Sequence, residues 1–83
     1  MASVVFAFRE QSSEESQDLV RNQILDLPGV HTVARISPEA TKPALRRLWY
    51  AEVSDDEAMS LVTKLRARSD IESADMPAER RLI

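Results

Sequence analysis

The chain contains no cysteine. That one absence removes disulfides, thiolate zinc sites, dithiol redox chemistry and a thiol nucleophile together. A single histidine, His31, has no second imidazole with which to complete a His-based metal site, so no metal or other cofactor is expected. Gly29 is the only glycine, which excludes a glycine-rich phosphate loop. Four prolines with that one glycine exclude collagen-like and linker material, and 43% apolar residues exclude disorder driven by low hydrophobicity. Positive charge is also short. With 11 basic against 14 acidic residues the net charge is −3, the wrong sign for a general nucleic-acid binder. The apolar run at 4–8 is far below the ~20 residues that span a bilayer, and no basic leader precedes it. A cytoplasmic chain with no membrane partner is therefore expected. At 83 residues, what is left is one small domain with a modest core.

The residues that are present alternate between the two periodicities of regular structure. Val4 to Phe8 is β-branched and aromatic, predicting a strand over 2–9 with Val4, Phe6 and Phe8 on one face and Ser3, Val5 and Ala7 on the other. Ser12 and Glu15 have the spacing of a capping box. Val20, Ile24 and Leu27 then recur at i, i+4, i+7 with Leu19 beside them, which predicts an amphipathic helix. Pro28 and Gly29 end it. Residues 30–37 read as a second strand, and Ser37 to Leu45, with two prolines, as a loop. A third strand over 46–53 places Trp49, Ala51 and Val53 on one face and Leu48, Tyr50 and Glu52 on the other. Ser54 to Glu57 is a second capping box with acids where the helix dipole favours them. Ala58, Leu61, Val62 and Leu65 form the stripe of the helix that follows, and Lys64, Arg66 and Arg68 suit its C-terminal end. Ile71 to Met76 reads as a fourth strand closed by Pro77, and 78–83 as an extended tail.

The order is β-α-β-β-α-β, in two halves of similar size, with Leu19-Val20 and Leu61-Val62 at like places in the two helices. A right-handed crossover in each half predicts an α+β, ferredoxin-like sandwich over 1–77, a four-stranded antiparallel sheet with both helices on one face. The other face is then bare. Val5, Ala7, Leu48 and Tyr50 would lie on it, an apolar and aromatic patch of the kind that meets a partner.

Catalytic constellations are missing. His31 follows the Pro-Gly turn with no nucleophile elbow anywhere in the chain, so it reads as a solvated strand-end residue. Glu14-Glu15 and Asp55-Asp56 sit where helix N-termini attract negative charge, and capping accounts for them. RNA-binding versions of the fold stack bases on outward aromatics, of which only Tyr50 is offered here. The chain is not expected to be an enzyme.

Three segments, taken in order, resemble the propeptide and inhibitor domain of subtilisin-type serine proteases. They are Leu27-Pro28-Gly29-Val30, then Leu48 to Ala58 with its aromatic strand running into an acid-capped helix, then Leu65 through Ile71-Glu72-Ser73-Ala74. The resemblance implies an inhibitor or folding chaperone, monomeric when free, that docks its open sheet face (Val5, Leu48, Tyr50) on a subtilisin-like serine protease. It further implies that Asp75 caps helix N-termini of the protease. The tail Glu79, Arg80, Arg81, Leu82, Ile83 would lie in the active-site cleft like a product, with Ile83 in the primary specificity pocket. Arg80 departs from the large apolar residue that the family favours at the fourth subsite, and a β-branched Ile83 is unusual at the terminal one. The competing reading of the same open face is a small regulatory or assembly module that dimerises through it.

Overall fold

Seven elements follow one another in the computed structural model, which describes residues 2–39 and 41–76: β1 (Ala2–Phe8), α1 (Glu14–Leu25), β2 (Val30–Arg35), α2 (Pro43–Arg46), β3 (Leu48–Val53), α3 (Asp55–Arg66) and β4 (Ile71–Asp75). The strands form one antiparallel sheet in the order β2-β3-β1-β4. The α+β, ferredoxin-like arrangement expected from the sequence is the one observed. Residues 78–83 lie outside the described residues.

Strand alternation decides the core. Val4, Phe6 and Phe8 from β1, Trp49, Ala51 and Val53 from β3, and Val33, Ile71 and Ala74 from the edge strands are all buried in one cluster with Val20 and Ile24 of α1 and Ala58, Leu61, Val62 and Leu65 of α3. Both long helices thus cover the same face. Trp49 organises the centre: Phe6 lies near-parallel to it at 6.5 Å, and Phe8 meets it edge-on at 6.0 Å. Such pairs add about 0.5–1.5 kcal/mol beyond area burial.

Several local expectations are corrected. The α1 cap is Ser13 and not Ser12: its hydroxyl accepts from the Ser16 backbone N–H at 3.1 Å. Ser12 is committed elsewhere, its carbonyl accepting from Gln17 Nε2 and its hydroxyl donating to the Asp70 carbonyl. Ser54 does occupy the position before α3, but its hydroxyl donates to the Gly29 carbonyl instead of capping. Part of the 37–45 loop is the single turn α2, with Pro43 in the first-turn position that its fixed φ suits, so β3 begins at Leu48 and not at 46. Leu19 is 60% exposed whereas Leu61 is buried, so the two helices are not equivalent. Gln17 takes the inward position, donated to by Trp49 Nε1 at 3.0 Å.

Gly29 is required by the turn between α1 and β2. Its φ is +81°, and a Cβ there would come within 2.6 Å of Glu57 Cγ. No other residue fits without strain. Its carbonyl also accepts the Ser54 N–H at 2.8 Å, tying the end of α1 to the start of α3.

Candidate functional site: the open sheet face

The register sets the open face out in rows. One runs Ala34–Tyr50–Val5–Asp75 across all four strands; beside it lie Leu48–Ala7–Ser73 and, on the other side, Thr32–Glu52–Ser3. Directly opposed residues have Cβ atoms about 4.5–5.5 Å apart, so each row is a continuous surface. Val5, Leu48 and Tyr50, the interface residues expected from the sequence, are thereby brought together, each half-buried by its neighbours alone. Ile36 extends the apolar side. Its N–H donates to the Leu48 carbonyl just past the end of β2, and its side chain is 45% exposed. The face is graded from Ile36, Leu48 and Ala7 at one end to Thr32, Glu52 and Ser3 at the other.

Asp75 terminates the central row at the edge strand and is exposed. It does not stand alone. Arg66 Nη2 donates to its Oδ1 at 2.6 Å, while Arg66 Nε donates to the Ala74 carbonyl at 2.9 Å. The last turn of α3 thus holds the carboxylate at the sheet edge. A contact to a helix N-terminus would have to share or displace that guanidinium. The expected tail residues Glu79, Arg80, Arg81, Leu82 and Ile83 lie outside the described residues.

His31 is exposed at the irregularity in the β2–β3 ladder between Val30 and Thr32. A second irregularity, between Ala7 and Phe8 opposite β4, lets Ile71 turn inward and Glu72 outward. Glu72 then faces Arg47 Nη1 at 3.9 Å. The perturbed ionisations lie away from the open face. Arg46 holds the exposed Glu14 carboxyl below its usual range by a paired hydrogen bond, and Glu14 raises Arg46 in return. Arg68 lowers Asp70 by a similar two-point contact. Both pairs are exposed or partly so, and both brace the surface.

Sequence reading missed two groups beneath the opposite face: the buried Gln17 and the Arg35 guanidinium, 4.6 Å from the Trp49 ring centroid. A glutamine at a stripe position was the available sign of the first. Among the described residues no cluster of His, Asp and Glu is arranged to hold a metal, and no helix is long and apolar enough to cross a membrane. No family model, curated protein or solved structure significantly matches this chain.

Proposed function

We propose that the chain is a propeptide-like inhibitor or folding chaperone of a subtilisin-like serine protease, docking through its open sheet face. The observation that supports this reading is the row Ala34–Tyr50–Val5–Asp75, an apolar and aromatic strip ending in an exposed carboxylate. Apolar groups in the strip would lose water against the enzyme. The Asp75 carboxylate would meet orphan N–H groups and the positive end of a helix dipole. Glu79 to Ile83 would lie in the cleft as an added strand, main-chain hydrogen bonds giving affinity and alternate side chains giving specificity. The domain needs no catalytic group for this, since it acts on another molecule's active site.

The test is a titration against several subtilisin-like proteases, with trypsin-like enzymes as controls. Inhibition of the former is expected, weakened at least about tenfold by Tyr50→Lys, which leaves the helix-covered core intact. Removing Arg80 to Ile83 should weaken it sharply as well. No inhibition by the intact chain, or inhibition indifferent to Tyr50→Lys, defeats the docking reading; full inhibition by the shortened chain defeats the role of the tail.

A further inference from the structure

On the helix-bearing side of β2, away from the open face, the chain builds a second feature. Glu14, Asp18 and Arg21 recur along α1 at the spacing that aligns them on one face, and that face looks onto β2. Arg35 lies beneath them with its side chain 16% exposed. Its Nε donates to the Arg46 carbonyl at 3.3 Å. Its Nη2 is buried and makes no hydrogen bond. Two carboxylates face that nitrogen, Asp18 Oδ1 at 3.9 Å and Glu14 Oε1 at 4.0 Å. Those separations allow Coulomb attraction but are too long for hydrogen bonds.

The two acids differ in what else they do. Glu14 is held by Arg46 through Nε to Oε2 at 2.5 Å and Nη2 to Oε1 at 3.1 Å. The Asp18 carboxylate makes no side-chain hydrogen bond among the described residues and its side chain is 60% exposed, so it turns aside at little cost. Asp18 and Arg35 border a cleft of about 510 Å³ together with Arg21, Val33, Pro38 and Trp49. That volume falls in the ~300–1,000 Å³ range of small-molecule sites. Arg21 is itself anchored, its Nε donating to the Val33 carbonyl and its Nη1 to Asn22 Oδ1.

We infer that this cleft binds the zwitterion of an apolar α-amino acid. Asp18 turns away from Arg35, the ligand carboxylate accepts from the uncovered Nη2, and Asp18 accepts from the ligand ammonium. A buried charged donor without an acceptor is the costly half of a hydrogen bond, and a carboxylate supplies the missing half. A plain anion would meet Asp18 in the cleft; a plain cation would meet Arg35 and Arg21. A ligand carrying both charges satisfies both sides, while Val33, Pro38 and Trp49 line the cleft with apolar atoms. The inference does not rest on the protease reading.

Trp49 is the only tryptophan, so its emission reports on the cleft directly. The full chain is titrated with L-leucine, L-valine and L-phenylalanine, each expected to give a saturable change with a Kd at or below about 1 mM. N-acetyl-leucine, which lacks the ammonium, and leucinamide, which lacks the carboxylate, should each bind at least about tenfold more weakly than leucine. Asp18→Asn, at an exposed position, should weaken leucine about tenfold without changing the unfolding midpoint. Arg35→Lys should do the same where it folds; where it does not, Asp18→Asn decides. Absence of a saturable response to all three amino acids, equal response to the two derivatives, or indifference to Asp18→Asn overturns the inference.

Discussion

On the helix-bearing face of the sheet Val4, Phe6, Phe8, Trp49, Ala51 and Val53 are buried almost completely, whereas on the opposite face of the same strands Val5, Ala7, Leu48 and Tyr50 stay half-exposed. The composition of the two faces differs less than their surroundings. Both carry valine, alanine and an aromatic ring. What separates them is that α1 and α3 lie over one and nothing among the described residues lies over the other. Apolar side chains stabilise a fold in proportion to the surface they remove from water. The covered face therefore holds the domain together, and the open face adds less to its stability.

That contrast can be broken from the covered side first. Phe6→Ala removes a ring that is 1% exposed and touches both Phe8 and Trp49, and should cost about 3–5 kcal/mol of unfolding free energy. A shifted denaturant midpoint at unchanged slope is the measurement. A cost near zero would mean that the aromatic centre does not carry the fold.

Gln17→Ala is the intermediate case. It strips the partner from the buried Trp49 N–H and also frees the Ser12 carbonyl, so a loss of about 1–3 kcal/mol is expected in the same assay. The smallest effect belongs to the open face. Val5→Thr keeps the β-branched shape at a half-buried position and should change stability by less than about 0.5 kcal/mol. A loss comparable to that at Phe6 would show that the open face is covered within the folded chain itself.

The alternation of β1 and β3 was legible in the amino-acid sequence, because side chains in a strand alternate sides whatever the rest of the chain does. The same holds for the inward residues of α3, whose Ala58, Leu61, Val62 and Leu65 all reach the core. In α1 the pattern misled at Leu19, because a helix this polar offers several possible stripes and only its partner selects one. That partner is Trp49, whose indole N–H needs an acceptor inside the core, and Gln17 provides it. The caps slipped for a related reason. Ser12 and Ser13 are chemically interchangeable as caps, and the long-range contact of Ser12 with Asp70 leaves Ser13 for the helix.

Candidate site residues divide in the same way. Val5, Leu48 and Tyr50 could be assigned to one face by counting in twos, but their union into a row with Ala34 and Asp75 needed the register across four strands. The pairing of Asp75 with Arg66 could not be anticipated, since it joins the end of a helix to the strand that follows through the turn between them. The cleft beside Arg35 was equally hidden. Its walls come from α1, β2, β3 and the loop after β2, and no short stretch of sequence contains them.

By itself, then, the amino-acid sequence determined the order of the four strands and two long helices, the inward faces of β1 and β3 and the one turn that only glycine can make, because each depends on a few neighbouring residues and on backbone sterics. It also excluded every site that needs a cysteine from this chain, since the chain has none. Tertiary structure alone decided which stripe of α1 turns inward, which carboxylates meet which guanidinium groups and where a buried Arg35 nitrogen is left without a hydrogen bond. Those outcomes depend on residues far apart in the chain brought within a few ångströms, and packing chooses among local alternatives that the sequence leaves nearly equal.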